Sequence, residues 1–169
     1  MTQDSTLFNS CDVCGRSANA GRLFIIDGTP LCNICLFGPV DPVSIYPIGI
    51  VENSLSRNES DFGLSGEDMR SRIILHSAQK RFMYRLEQEK ELTIIYYLHQ
   101  SRPVRSRFQR GFDGKETGVF ASRTPDRLSR IAIQDVRLLS IEGTTLTVEG
   151  LDAVNGSPVL DIKMKKPQR

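Results

Sequence analysis

The four cysteines of this chain constrain its fold more than any other feature. They form two pairs near the N-terminus, Cys11-x2-Cys14 and Cys32-x2-Cys35, and the 169-residue sequence contains no other cysteine. A two-residue gap lets both thiolates of a pair reach one metal ion from a tight turn, and Zn²⁺ prefers four such ligands in a tetrahedron. The spacing therefore predicts a zinc site, with two disulfides or an iron–sulfur cluster as the alternatives.

The predicted zinc is structural, because four thiolates leave no open coordination position for water or substrate. Between the two pairs, Leu23–Ile26 is a predicted strand, Asp27-Gly28 a tight hairpin turn, and Leu31 lies on the returning strand. This pattern predicts a zinc ribbon or knuckle. Such modules bind nucleic acid, bind a protein partner or stiffen one end of a chain, and the sequence leaves all three roles open.

The composition is that of an ordinary globular protein, with 39% hydrophobic and 25% charged residues. No apolar run approaches the roughly 20 residues needed to cross a bilayer, and the first residues lack a signal-peptide pattern. We therefore expect no membrane association. Cysteines in metal-type spacing add the expectation of a reducing, cytoplasmic location.

Positive charge is concentrated in residues 102–130, although the net charge of the chain is only +2. Eight basic residues face three acids there, which makes the segment a candidate anion-facing surface or a solvated loop. The basic residues are Arg102, Arg105, Arg107, Arg110, Lys115, Arg123, Arg127 and Arg130, and the acids are Asp113, Glu116 and Asp126.

The chain is predicted to contain a zinc module at 1–38, a proline-stiffened linker at 39–44, a mainly β domain at 45–166 and a tail at 167–169. One short helix is predicted at Ala78–Glu89, where Phe82 and Leu86 share a face. Seven strands with one helix predict a barrel or a sandwich. The predicted strands are Ile45–Val51, Arg72–His76, Leu92–His99, Gly118–Ala121, Ile131–Glu142, Thr145–Leu151 and Pro158–Ile162.

The predicted β domain carries none of the general catalytic motifs, such as a glycine-rich phosphate loop. Two blocks nevertheless resemble a known family. The run Gly-Val-Phe-Ala-Ser-Arg-Thr-Pro-Asp-Arg at 118–127 resembles the Gly-Val-Phe-Ala-x-Arg-Ser-Pro-x-Arg signature of the TsaA-like family, and 150–163 resembles a second family block. Tyr46–Val51 is similar to the family's first strand, so the resemblance extends over about 46–166.

The resemblance implies a β-barrel methyltransferase that uses S-adenosylmethionine, of the type that methylates threonylcarbamoyl-adenosine beside the tRNA anticodon. It also implies a homodimer. The cofactor-binding residues that it implies are Phe120, Ala121, Arg123, Arg127 and Asp152. Asp161 and Lys163 would orient the acceptor or its proton; alternatively, they pair with each other or with Arg123 to hold the barrel end.

The sequence departs from the family pattern after Arg127, where Leu128–Ala132 replaces the usual Pro-Asn-Pro-Ile-Gly of the cofactor pocket. Two interpretations follow. Either a remodelled pocket still binds S-adenosylmethionine, which we expect because the charged residues named above are retained, or the barrel has become a non-catalytic, zinc-containing binding module. For an active enzyme, tRNA is the first candidate acceptor, and a protein or small molecule is the alternative.

Overall fold

The structure, a computed structural model, describes residues 9–17, 22–56, 69–100, 103–111 and 113–166. The strands are β1 (Leu23–Ile26), β2 (Thr29–Cys32), β3 (Gly49–Glu52), β4 (Arg70–Leu75), β5 (Glu91–Tyr97), β6 (Arg107–Gln109), β7 (Glu116–Gly118), β8 (Ile131–Glu142), β9 (Thr145–Glu149) and β10 (Pro158–Met164). The helix α1 spans Asn33–Phe37, and 3₁₀ helices span Ser77–Phe82, Leu86–Gln88 and Val119–Ala121.

The chain forms two compact units. The first unit comprises residues 1–44 and 102–128, and the second comprises 45–101 and 129–169. The sequence assigned 102–128 to the barrel region, whereas the contacts of the structure group these residues with the N-terminal ones. Two separate stretches of chain therefore build the first unit.

In the first unit, β1 and β2 form the predicted antiparallel hairpin, with Ile26 opposite Thr29. The connecting residues Asp27 and Gly28 have φ angles of 50° and 81°. A two-residue turn with two positive φ angles matches the twist of the strands, and Asp-Gly tolerates that backbone. The chain then enters α1, which ends at Gly38 with a φ of 76°.

The hairpin turn also binds the segment that follows residue 102. The Asp27 carboxylate accepts hydrogen bonds from the backbone N–H of Ser106 at 3.0 Å and from its hydroxyl. The Asp27 N–H donates to the Val104 carbonyl at 3.2 Å. These bonds lower the pKa of Asp27, chiefly through the Ser106 hydroxyl, because they stabilise the carboxylate. They explain why β6 and β7, which pair with each other, belong to the first unit.

The second unit is a closed barrel of six strands in the order β10-β3-β4-β9-β8-β5, with every neighbouring pair antiparallel. Closure leaves no unpaired sheet edge. The mainly β prediction is therefore confirmed, and the architecture is a barrel rather than a sandwich.

Alternating apolar side chains fill the barrel. The buried core comprises Val51, Ile73, Leu75, Leu92, Ile94, Tyr96, Val136, Leu146, Val148, Leu151, Ala153 and Val159. Gly49 at the start of β3 is required by close backbone contact, because a Cβ there would lie 2.4 Å from the Ile74 carbonyl oxygen. The predicted first strand began at Ile45, but β3 begins only at Gly49.

Two predicted elements are wrong in type. The helix expected over Ala78–Glu89 is replaced by two 3₁₀ helices, with Arg85 between them at a φ of 59°. Phe82 is 75% exposed, so it does not share a buried face with Leu86. The strand expected over Gly118–Ala121 ends at Gly118, where a 3₁₀ turn begins.

Candidate functional site

The four cysteines converge on one point in the first unit. Their Sγ atoms all lie within 4.8 Å of one another. The Cys14 and Cys32 sulfurs are 3.7 Å apart, close to the roughly 3.8 Å separation that a tetrahedron with Zn–S bonds of about 2.3 Å requires. The four thiols are free. The donor set therefore fits a single tetrahedral metal ion.

Local structure explains this convergence. Gly15 has a φ of 68°, and its N–H donates to the Cys11 carbonyl at 2.8 Å, which turns the first pair toward one side. In the second pair, Cys32 ends β2 and Cys35 lies one turn later in α1. The Cys32 N–H donates to the Cys11 sulfur at 3.3 Å, and this bond is the main reason that the pKa of Cys11 falls to about 6. A lowered pKa favours the thiolate, the form that binds metal.

The signature turn at 118–127 also lies in the first unit. Phe120 is 97% exposed, and Ala121 and Arg123 are exposed beside it. The Arg127 guanidinium instead donates to backbone carbonyls of the same turn, to Ser122 at 2.7 Å, Thr124 at 2.9 Å and Val119 at 3.3 Å. The turn thus presents an aromatic ring and one guanidinium outward, while a second guanidinium holds its backbone.

The basic segment is partly neutralised. Arg107 pairs with Glu116 at 3.5 Å, and the Arg110 Nε donates to Asp113 at 3.1 Å. Arg102 lies outside the described residues, and Arg130 belongs to the second unit. Within the described ranges, three exposed cations of the segment make no ion pair; these are Arg105, Lys115 and Arg123.

In the second unit, the half-buried Asp152 lies in a loop that several polar side chains fix. The Tyr96 hydroxyl donates to the Asp152 carbonyl at 2.7 Å. Burial first, and the Asp152 charge second, raise the pKa of Tyr96, so the phenol stays protonated and able to donate. Asn53 donates to the Ala153 carbonyl at 2.8 Å, and its own N–H donates to the Asn155 side chain at 3.1 Å.

Sequence reasoning missed Asn53 and Tyr96 as supports of this loop. Tyr96 looked like one more apolar member of an alternating strand, and Asn53 looked like a polar residue after a strand. A buried phenol usually needs a hydrogen-bond partner, which was the one available signal for Tyr96.

Asp161 and Lys163 lie together on the outer face of β10. Their carboxylate and ammonium groups form an ion pair at 2.6 Å, with side chains 48% and 59% exposed. A register shift between Val159 and Asp161 places Asp161 opposite Ile95 and Lys163 opposite Thr93. The extra residue of this bulge turns Asp161 outward although Val159 points into the core. The pairing between Asp161 and Lys163 that the sequence offered as an alternative is thus present.

His99 and Ser157 lie close to the loop that contains Asp152, and the Ser157 N–H donates to the Val154 carbonyl of that loop. The Ser157 hydroxyl, on a buried residue, is 3.4 Å from the Nδ1 atom of His99. Burial lowers the pKa of His99, so the imidazole favours its neutral form. This contact gives the hydroxyl of the buried Ser157 a hydrogen-bonding partner.

Within the described part of the chain, no helix has the length and apolar character needed to span a membrane.

Comparison with known proteins identifies a family and several relatives. The range of the family match contains both the signature turn at 118–127 and the second family block at 150–163. The family described as "tRNA-methyltransferase O N-terminal domain" matches residues 62–168. An "S-adenosyl-L-methionine-binding protein" of Archaeoglobus fulgidus is 29% identical over 126 residues, which is 73% of this chain and 90% of the relative. A "Probable S-adenosyl-L-methionine-binding protein" of Methanothermobacter thermautotrophicus is 34% identical over 72% of this chain and 88% of the relative.

Larger proteins are also similar. The human "tRNA (adenine(37)-N6)-methyltransferase" is 28% identical over 69% of this chain, but the match spans only 29% of the human protein. The crystal structure of TrmO from Pseudomonas aeruginosa superposes with a TM-score of 0.60 and 28% identity, over 75% of this chain and 57% of that one. A second crystal structure of TrmO gives a TM-score of 0.61 and 26% identity, over 75% and 59%.

The family resemblance that the sequence suggested is confirmed by the family match and by the solved structures. The family match extends over more than half of the chain, and solved members of the family share its barrel. The chain therefore belongs to the tRNA-methyltransferase O family.

Proposed function

We propose that this protein is a methyltransferase that uses S-adenosylmethionine to modify an adenosine of tRNA, of the threonylcarbamoyl-adenosine type. Family membership through residues 62–168 is the observation that carries the proposal. Two further facts support it: one relative is named for binding S-adenosylmethionine, and another for methylating the N6 atom of adenine 37 in tRNA.

Side chains of the signature turn fit the cofactor chemically. When bound, S-adenosylmethionine supplies an electrophilic methyl group, and the protein supplies positioning. The exposed ring of Phe120 can stack on a purine, and the exposed guanidinium of Arg123 can bind a carboxylate. We assign cofactor contact to Phe120, Ala121 and Arg123. Arg127 acts as a positioning residue, because its donors already bind the turn.

In the second unit, we assign Asp152 to the cofactor and Asp161 with Lys163 to the acceptor. Hydrogen bonds from Tyr96 and Asn53 fix the backbone on which Asp152 stands. The Asp161–Lys163 pair is about half exposed, so it can accept and donate hydrogen bonds to an incoming group. Such a pair can orient an acceptor nitrogen or its proton, and geometry matters more than pKa in that role.

We further propose that Zn²⁺ occupies the four-cysteine site. Cys11, Cys14, Cys32 and Cys35 would hold it, and four thiolates would give it a purely structural role. Its binding free energy would stabilise a unit whose hairpins have a small core. A four-thiolate site also suits the reducing cytoplasm, where we place the protein.

A homodimer is part of the proposal. On the outer face of the barrel, Ile95 of β5 lies opposite Ile133 of β8, and Tyr97 lies opposite Ile131. Ile131 and Ile133 are 39% and 53% exposed. Exposed apolar side chains grouped on one sheet face are typical of protein interfaces, and two copies could cover them reciprocally.

Calorimetric titration of the full-length, zinc-loaded protein with S-adenosylmethionine tests the cofactor assignment. We expect binding that Phe120→Ala and Arg123→Gln each weaken by about tenfold. Arg107→Gln is the matched control, because Arg107 is also exposed in the first unit but pairs with Glu116. If Phe120→Ala and Arg123→Gln both bound S-adenosylmethionine as tightly as the Arg107→Gln control, the cofactor assignment would be wrong.

Methyl transfer from labelled S-adenosylmethionine then tests the acceptor. We expect label in tRNA that carries threonylcarbamoyl-adenosine and none in the same tRNA without that group. Label in both tRNAs would contradict the acceptor type, and label only in protein would contradict the RNA substrate.

A second candidate is a non-catalytic, zinc-containing interaction protein derived from this barrel. It is favoured because charges that the cofactor or the acceptor would need already have partners within this chain: Arg127 binds its own turn, and Asp161 pairs with Lys163. The same titration separates the two candidates. Complete absence of cofactor binding by folded protein would favour the interaction protein, whose partner would be a protein bound by the zinc module.

A further inference from the structure

A pocket of about 390 Å³ lies in the first unit, beside the four-cysteine site. Its lining residues come from the start of β1, from α1 and from the proline-containing stretch that follows; they are Arg22, Phe24, Asn33, Phe37, Val40 and Pro42. None of them falls within residues 62–168, the range of the family match. The pocket therefore lies outside the range of the family match.

The apolar part of the pocket is aromatic. The rings of Phe24 and Phe37 meet edge to face, with centroids 5.3 Å apart and an angle of 81° between the ring planes. The Arg22 guanidinium lies 5.1 Å from the centroid of the Phe24 ring. Aromatic rings and a flat guanidinium are the surfaces on which unstacked nucleic-acid bases pack.

The polar part of the pocket suits the edge of a base. The Asn33 N–H donates to the Arg22 carbonyl at 3.1 Å, which fixes Asn33 next to Arg22. A side-chain amide offers an acceptor and two donors, the combination that reads the edge of a purine. No Asp or Glu is among the six lining residues that the structure describes, and Arg22 supplies a positive charge.

We propose that this pocket binds an unpaired nucleobase of an RNA strand, with Arg22 and Phe24 contacting the base face and Asn33 its edge. The inference rests on the proposed function in taking tRNA as the natural RNA. An aliphatic peptide side chain would use neither Arg22 nor Asn33. A basic peptide would meet Arg22 with no acidic partner in the lining.

Fluorescence anisotropy of labelled, single-stranded oligoadenylate with the full-length, zinc-loaded protein tests the pocket. Val40→Glu places a carboxylate in the pocket, and we expect it to weaken binding by about tenfold. Val43→Glu is the matched control, because Val43 is 86% exposed and does not line the pocket; we expect its affinity to stay within about twofold of the wild type.

A second pair of variants tests the stacking contact without adding charge. Arg22→Gln should weaken oligoadenylate binding by about tenfold, whereas Arg16→Gln, at an exposed position outside the pocket, should change it by about twofold or less. Zinc content and hydrogen exchange of β1 and β2, equal in all four variants, would show that the unit stays folded.

Equal affinities of Val40→Glu and Val43→Glu for oligoadenylate would overturn the proposal. This is the result expected if the occupant of the pocket is a peptide. Failure of the pocket proposal can be distinguished from failure of the proposed function. Tight, Val40-dependent RNA binding by a protein that does not bind S-adenosylmethionine would support the pocket and contradict the methyltransferase. Methyl transfer to tRNA that is unchanged in Val40→Glu and Arg22→Gln, together with unchanged RNA affinity, would contradict the pocket alone.

Discussion

The Arg127 guanidinium donates a hydrogen bond to the Ser122 carbonyl at 2.7 Å, and two further carbonyls of the same turn accept from it. A residue that the family resemblance assigned to the cofactor thus determines the shape of the turn on which Phe120 and Arg123 stand. Charge-assisted bonds to backbone carbonyls are stronger than neutral ones, so this single side chain can hold a turn that lacks a regular strand partner.

Stability and cofactor binding should respond differently to the two arginines of the turn. Arg127→Gln should lower the free energy of unfolding by about 2 kcal/mol, because half-buried carbonyls lose charged donors. Arg123→Gln should leave that free energy within about 0.5 kcal/mol, since Arg123 is exposed. Urea unfolding without cofactor provides the measurement. Equal stability of the two variants would refute the positioning role of Arg127.

Zinc removal should unfold the cysteine site selectively. We expect about one zinc per chain by metal analysis, because one set of four thiols lies within reach of one ion. A chelator, or Cys14→Ser, should abolish hydrogen-exchange protection in β1 and β2, since metal binding supplies on the order of 10 kcal/mol to such a site. Ser10→Ala is the control. Protection that survived complete metal loss would show that zinc is dispensable.

Gly49→Ala should destabilise the barrel strongly. The added Cβ would lie 2.4 Å from the Ile74 carbonyl oxygen and 2.8 Å from the Cα atom of Leu75, both of which are backbone atoms. Strands β3 and β4 would have to separate, at a cost of about 3 kcal/mol. Gly111→Ala is the matched control, since a Cβ at Gly111 meets nothing within 4 Å. The measurement is thermal unfolding of the two variants. If Gly49→Ala were as stable as Gly111→Ala, the backbone of β4 could not lie so close to Gly49.

Stability should decline on mild acidification because of His99. Burial holds the pKa of His99 below its ordinary value of 6.5, so the unfolded chain binds the proton more readily than the folded one. The contribution of His99 to the free energy of unfolding is intact when the pH is above that ordinary value, and it is lost as the pH falls through it. Urea unfolding at about pH 7.5 and about pH 5.5 measures how much the free energy of unfolding falls on acidification. In His99→Gln this fall should be smaller by about 0.5 kcal/mol. The effect is small because the side chain is only partly buried.

His76→Gln controls for that experiment, because His76 is exposed and also follows a strand. Its pH dependence should match that of the wild type. If His99→Gln and His76→Gln behaved alike, the acid sensitivity would have to come from other groups.

Ile133→Lys should weaken the proposed homodimer. Ile133 is 53% exposed on the outer barrel face, opposite Ile95, and burying an ammonium at an interface carries a large desolvation cost. Sedimentation velocity should show a shift to monomer at concentrations where the wild type is dimeric. Leu139→Lys, on the same strand and 38% exposed, should have no such effect. A wild type that is monomeric throughout would contradict the dimer itself.

Local patterns were sufficient where neighbouring residues decide the structure. The Asp27-Gly28 turn follows from the backbone preferences of two residues, and the cysteine pairs follow from the reach of two thiolates across a short gap. The barrel strands were recognisable because alternating burial leaves a period of two in the sequence. The helix around Phe82 was wrong because one apolar pair at helical spacing does not require a buried face, and Arg85 interrupts it with a positive φ.

The sequence by itself determined the metal-type cysteine site, the mainly β class and the family, because each depends on short-range spacing or on a contiguous motif. Only the tertiary structure decided that residues 102–128 belong with the N-terminal unit, since the Asp27–Ser106 contact joins positions far apart in the chain. It also decided that Arg127 binds its own turn, that a bulge turns Asp161 outward, and that Arg22, Phe24 and Asn33 line one pocket. The physical reason is that these arrangements arise from packing and hydrogen bonding between segments, which no local pattern encodes.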